Sequence, residues 1–266
     1  MTKIKTGDLV LFFYNDSKKW LLKISKKEQF HSHIGIIKHA DAIGKEFGSR
    51  LVTNKDKYVY LLKPTIHDHV MKMQHGTQIV YPKDLGYIAA RTGLQSGQKV
   101  VEIGTGSGSL TTFLASIVKP RGHVYTFDVE PKFMEIAEKN IKKAGMLKYV
   151  TMHNQNLKKS RKLPIDECDL AIIDLGDPWE VLPQVRKMLK SSGSVVAICP
   201  TMNQLEKLSA AFVENEFSDI ESTEHILRRI EARDGKTRHS YQGIGHTTYL
   251  AMARKVYFNK KRSKKK

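Results

Sequence analysis

The chain has 266 residues, 40% of them hydrophobic and 27% charged, and a formal net charge of +18 at pH 7. That length admits one large α/β domain or two unequal ones, and the composition is that of a folded chain, not a disordered one. The longest apolar run, residues 9–14, is far short of the roughly 20 residues that span a bilayer, residues 1–8 carry no secretory pattern, and two cysteines are too few for a disulfide framework or a tetrahedral zinc site. A soluble, cytoplasmic protein with no membrane partner, no metal and a polyanionic partner is expected.

In chain order, residues 8–14, 20–24, 34–37 and 57–62 read as short strands broken by turn residues, and Tyr58-Val59-Tyr60-Leu61-Leu62 suits a pleated surface. Residues 1–66 are thus expected to form a small β-domain, with a linker over 64–81. Beyond it, helices over 84–93, 109–118 and 132–143 alternate with strands over 99–103, 122–128, 150–153, 170–174 and 194–199. Such alternation predicts an α/β fold, a mainly parallel twisted sheet with helices on both faces, over residues 67–254. Residues 255–266 form a basic tail. The net charge divides as +7 over residues 1–66, +4 over 67–254 and +7 over 255–266, so the excess sits at the two ends. The run 260–266 reads either as a solvated tail or as a nucleic-acid contact, with nuclear import open if the source is eukaryotic.

The segment Val100-Val101-Glu102-Ile103-Gly104-Thr105-Gly106-Ser107-Gly108-Ser109 joins a buried strand, a glycine-rich turn and a helix start. Glycines let the backbone turn sharply and approach a ligand, and the helix N-terminus offers free N–H groups. The spacing is G-x-G-x-G, unlike the G-x-G-x-x-G of dinucleotide sites. Asp128 ends the next apolar strand, 22 residues after Gly106, where a carboxylate can accept ribose hydroxyls. Glu102 beside the turn disfavours a pyrophosphate but not a sulfonium. Asp174 ends a later apolar strand, at the sheet edge where open α/β folds bind ligands. Asp177 reads as a turn residue, and Trp179 as either a base-stacking or a packed helix-start residue.

Together these segments resemble the class I S-adenosylmethionine-dependent methyltransferases. More closely, the chain to about residue 255 is similar to the tRNA (adenine-N1)-methyltransferases of the T-loop. Residues 77–84 (TQIVYPKD), 102–111, 174–182 (DLGDPWEVL), 200–204 (PTMNQ) and 245–250 (GHTTYL) carry the likeness. The resemblance implies S-adenosylmethionine as cofactor, held by Gln78, Gly104, Thr105, Gly106, Ser107, Gly108, Ser109, Asp128, Asn156, Leu157 and Asp174. It implies tRNA as partner, adenine 58 or 57 and 58 as target, and a homotetramer. Asn156 and Leu157 would meet the adenine ring of the cofactor. Asp128 stands where many members have Glu, Asn156 where many have Asp, and Phe133 where some have Arg.

Adenine N1 is a modest nucleophile, and its methylation leaves a cationic ring. A carboxylate accepting from the N6 amino group would stabilise that charge, and Asp174 is the candidate. The target base must be splayed from the tRNA elbow, with Tyr81, Trp179 or His246 to receive it. Tyr81 also reads as a linker packing residue, His246 as a buried histidine, and the segment 224–239 as an RNA path or a solvated helix or loop. The alternatives are a same-fold methyltransferase with another acceptor, such as protein isoaspartate, and a non-catalytic tRNA-binding subunit. Cys168 and Cys199 are expected to be buried thiols on adjacent strands.

Overall fold

The computed structural model describes residues 3–160, 165–241, 243 and 245–257; the run 260–266 lies outside them. By packing, the chain divides into two compact units, Met1–Met73 and Gln74–Lys266.

In the first unit, β1 (Leu9–Asn15), β2 (Lys18–Lys23), β3 (Gln29–Ser32), β4 (Gly35–Lys38), β5 (Arg50–Val52) and β6 (Tyr58–Leu62) precede a short helix, α1 (Ile66–Lys72). Four of the strands form an antiparallel sheet in the order β2-β1-β6-β5, and β3 and β4 pair as a hairpin. Alternation sends Val10, Phe12, Leu51, Val59 and Leu61 into a core shared with Phe30, Ile34 and Ile37. The helix α1 lies in the stretch expected to be a linker. Its start carries a capping box: Thr65 Oγ1 accepts from the Asp68 N–H at 3.3 Å, and Asp68 Oδ2 accepts from the Thr65 N–H at 2.8 Å. Since α1 packs against β2, it belongs to the first unit.

The second unit opens with α2 (Pro82–Thr92), β7 (Lys99–Ile103), α3 (Ser109–Val118), β8 (His123–Asp128), α4 (Pro131–Lys143) and β9 (Val150–Asn154). It continues with β10 (Cys168–Ile173), α5 (Leu182–Met188), β11 (Leu189–Cys199), α6 (Met202–Glu214), β12 (Phe217–Glu224), β13 (Ile230–Glu231), β14 (Arg238–His239) and β15 (Tyr249–Lys255). Pro82 at the first helical position and left-handed Gly93 past the last one bound α2, which starts two residues and ends one residue earlier than expected. The seven-stranded sheet runs β12-β15-β11-β10-β7-β8-β9. Strands β11, β10, β7, β8 and β9 are parallel, and β15 is antiparallel to both neighbours. With right-handed crossovers, β7-α3-β8-α4-β9 winds one way from the sheet centre and β10-α5-β11 the other, which puts α3 and α4 on one face and α5 on the other.

Strand β11 begins five residues before the expected start at 194, because its first part is irregular: the register on β10 jumps between Cys168 and Leu170, and Ser192 has φ 62°. Only the straight half reads as a buried strand. Cys168 and Cys199 are free, buried thiols on these neighbouring strands. The segment 224–239 is neither helix nor plain loop: it leads into the exposed β13–β14 hairpin.

Candidate active site

The switch point of the sheet lies between β7 and β10, whose chains leave in opposite directions. Their carboxyl ends carry the glycine turn and Asp174. The Asp174 N–H donates to the Ile103 carbonyl at 2.8 Å, and the Gly104 N–H to the Phe127 carbonyl at 2.8 Å. A Cβ on Gly104 would lie 2.2 Å from the Asp174 carbonyl oxygen, and φ is 103° there, so only glycine lets the two strand ends meet. Gly106, at φ 52°, donates its N–H to Asp128 Oδ2 at 2.9 Å, while Asp128 Oδ1 accepts from the Glu130 N–H at 3.0 Å. The predicted ribose carboxylate is thereby fixed against the glycine turn. Residues 154–157 come to the same place, since the Asn154 side chain and the Gln155 N–H both donate to the Asp128 carbonyl at 3.0 Å.

Several residues of the expected cofactor set have structural partners for their side chains. Thr105 and Thr126 share a buried hydroxyl–hydroxyl bond of 2.6 Å. Ser107 Oγ accepts from the Gly76 and Thr77 N–H groups at 2.9 and 3.0 Å, and Ser109 Oγ donates to the Val80 carbonyl at 3.4 Å. The two serines therefore hold residues 76–80 over the turn. Asn156 Oδ1 caps its own turn by accepting from the Lys158 N–H at 3.0 Å, and Leu157 is buried in the core.

Sequence reasoning missed Asn140 of α4. Its amide donates to the carbonyls of Gln74 and Ser107 at 2.8 and 2.9 Å and accepts from the Gln74 N–H at 3.0 Å, tying the segment before α2 to the glycine turn. A polar residue between buried Ala137 and Ile141 on the apolar face of α4 was the available signal. It also missed the role of Lys83 and Asp84. Asp84 is fully buried, and its carboxylate meets Lys83 Nζ at 2.9 Å, Thr247 Oγ1 at 3.2 Å and His225 Nδ1 at 3.4 Å. A buried pair of this kind is tolerable because its remaining lone pairs are satisfied.

A cavity of about 100 Å³ opens at the same sheet edge, lined by Gln78, Tyr81, Asp84, Asp174, Pro200 and Thr247 among others. Gln78 Nε2 donates to the Tyr81 hydroxyl at 3.4 Å. Asp174 reaches the cavity from a largely enclosed position. Burial first, and then the Asp128 carboxylate, push its pKa up to about 6. Glu102 lies wholly inside, and burial drives its pKa to about 8 against the hydrogen bonds of Thr111 and Thr126. Glu102 therefore holds its proton at neutral pH, and the electrostatic case against a pyrophosphate passes to Asp128 and Asp174. Among the described residues no lysine or arginine pairs with either of these. Two converging carboxylates without a cation suit a positively charged ligand, so the residues present fit a sulfonium cofactor.

His246 is exposed, not buried, and stands at the rim. Its Nδ1 lies 2.6 Å from Glu224 Oε1 and its Nε2 3.2 Å from the carbonyl of the cavity residue Pro200, so both nitrogens face acceptors. The Glu224 bond, followed by the Pro200 bond, raises its pKa. Trp179 is half-buried: it packs on the core with Lys207 Nζ 3.9 Å over its ring, which favours the packed reading over base stacking. A larger open concavity of about 490 Å³ lies at the opposite sheet edge, but its Arg186 is already paired with Glu216 at 2.7 Å.

Residues 57–266 match the family described as the tRNA methyltransferase complex GCD14 subunit. The tRNA (adenine(57)-N(1)/adenine(58)-N(1))-methyltransferase TrmI of Methanocaldococcus jannaschii is 34% identical over 89% of this chain and 91% of its own. The tRNA (m1A58) methyltransferase TrmI of Aquifex aeolicus superposes with a TM-score of 0.84 at 31% identity, over 97% of this chain and all of the other. A SAM-dependent O-methyltransferase of Thermotoga maritima does so with a TM-score of 0.91 at 30% identity, over 97% and 96%. With the glycine turn, Asp128 and Asp174 gathered at one switch point, this chain belongs to the tRNA adenine-N1 methyltransferase family of the class I S-adenosylmethionine-dependent methyltransferases.

Proposed function

We propose that this chain methylates N1 of a T-loop adenine in tRNA, at position 58, with or without the 57 that is also named for the Methanocaldococcus relative. The observation that carries the reading is the Asp174 carboxylate, opening on the cavity beside the glycine turn with its pKa raised to about 6. S-adenosylmethionine, when bound, supplies an electrophilic methyl group on a cationic sulfur. The turn at Gly104 and Gly106, with Asp128, binds and orients it. Asp174 accepts a hydrogen bond from the adenine N6 amino group and offsets the positive charge that develops on the ring. Tyr81, at the cavity wall, stacks on the splayed base, and Gln78 holds the Tyr81 hydroxyl. His246, held at the rim by Glu224 and the Pro200 carbonyl, reaches RNA only by exchanging one of these partners for it.

The exposed β13–β14 hairpin and its flanks, with Arg228, Arg229, Arg233, Lys236 and Arg238, offer an RNA path. The basic run 260–266 adds phosphate contacts, and the family likeness supports a homotetramer, for which native mass is the measurement. Mass-spectrometric mapping of unmodified tRNA after incubation with the chain and cofactor tests the reading. Methyl on N1 of adenine 58, with or without 57, is expected. Methyl on protein, or on no adenine, overturns it.

A further inference from the structure

The four-stranded sheet of the first unit has one face in the core, and the other face is not the polar surface such a sheet usually presents. Along β6 the burial alternates, so Val59 and Leu61 point inward and Tyr58 and Tyr60 outward, 50% and 41% exposed. Pairing places Arg50 and Val52 of β5 opposite Tyr60 and Tyr58, and Phe13 of β1 on the other side of Tyr60. Lys19 of β2 lies opposite Phe13 in turn. One row across the sheet therefore reads Lys19-Phe13-Tyr60-Arg50, with Tyr58 and the 53%-exposed Val52 in the next row. The cations already sit on the rings: the Arg50 guanidinium is 4.4 Å from the Tyr58 centroid, and Lys19 Nζ is 5.3 Å from that of Phe13.

We propose that this face is a stacking platform for unpaired nucleotides of the tRNA substrate. An exposed aromatic surface asks for a flat apolar partner, and interleaved Lys and Arg on a region of net charge +7 ask for a negative one. Unpaired nucleotides combine a π-face with a phosphate and meet both demands, whereas paired stems offer no base faces. A second copy of this chain, net +18, answers the apolar demand but not the charge. The platform rests on tRNA being the substrate. It adds which part of the RNA the first unit holds, by base faces as well as phosphates. No residue of the platform lines the Asp174 cavity.

The test uses the full chain carrying Tyr58→Ala and Tyr60→Ala together, beside the Tyr58→Phe and Tyr60→Phe pair that keeps the rings. Affinity for unmodified tRNA is read without cofactor by fluorescence anisotropy, for tRNA and for a fully paired RNA duplex, with native mass alongside. The alanine pair is expected to lower tRNA affinity roughly tenfold or more, to leave duplex binding nearly unchanged and to raise KM at constant kcat. The phenylalanine pair should bind as the parent does. Unchanged tRNA affinity in the alanine pair overturns the platform. So does an equal loss on the duplex, or a change in native mass at constant affinity, which would make the face a subunit contact. Because binding is measured without cofactor, a parent chain that binds tRNA but methylates no adenine defeats the reading of the function and leaves this test standing.

Discussion

In the proposed mechanism the chemistry depends on Asp174, and its environment has a direct kinetic consequence. A carboxyl that must accept from an amino group acts only when ionised, and its pKa in the free protein is about 6. Methyl transfer, as kcat/KM, is therefore expected to rise with pH through about 6 and level off above it. Asp174→Asn should remove that limb and slow transfer by about 100-fold or more at saturating cofactor, with the weaker cofactor binding expected from the loss of one carboxylate measured separately. A variant transferring at near-parent rates would take Asp174 out of the mechanism. Glu102 gives a second pH effect, of stability. Its folded pKa of about 8 is raised above the ordinary 4.5, so its contribution is complete below pH 4.5 and is lost as pH rises toward 8. Glu102→Gln, which keeps an oxygen for Thr111, should flatten that loss, which is at most about 1.4 kcal/mol per pH unit. Urea midpoints of parent and variant at pH 5 and pH 8 measure it.

The elements explain why the family's short motifs lie where they do. The run Pro200-Thr201-Met202-Asn203-Gln204 starts α6: Thr201 Oγ1 accepts from the Gln204 N–H at 3.3 Å, and Gln204 Oε1 accepts from the Thr201 N–H at 3.1 Å. The same Gln204 donates through Nε2 to the Gly176 carbonyl at 2.8 Å, so the helix start also holds the loop that follows Asp174. Likewise TQIVYPKD and GHTTYL meet at Lys83, Asp84 and Thr247, with Lys83 Nζ 2.6 Å from Thr247 Oγ1. Sequence shows these motifs as separate strings, because the bonds that join them run between residues 28 to 164 positions apart. Asn140 is the corresponding tie for residues 74–77. Asn140→Ala leaves the Gln74 backbone without its partners and should cost about 1–3 kcal/mol. It should also speed hydrogen exchange at Gly76 and Thr77, whose N–H groups are held by Ser107 next to it. Parent-like exchange at both would show that the segment is held by other means.

At the scale of the whole molecule the charge and the chemistry separate. Strand β15 is antiparallel to its neighbours, so Tyr249 lies at the cavity edge beside Cys199, and Lys255 at the opposite edge beside Phe217. The basic tail thus starts from the side of the sheet away from Asp174. Deleting residues 260–266 is expected to weaken tRNA binding and flatten its salt dependence, raising KM with kcat and the modified adenine unchanged. A changed kcat at saturating tRNA, or a changed target, would put the tail at the reacting centre.

Pattern and composition determined the α/β class, the glycine turn, Asp128 and Asp174, since strand–helix periodicity and the geometry of a βα turn are local properties of the chain. The same locality explains what escaped: a strand bent at Ser192, a capped α1 inside an apparent linker, and the whole run of elements after Cys199. Only the tertiary structure decided that Lys207 lies over Trp179, that Ser107 holds backbone, that Glu102 keeps its proton and that two tyrosines and an arginine share an open face. Each of those outcomes depends on which distant group comes to lie beside the residue, and on how much water that neighbour displaces.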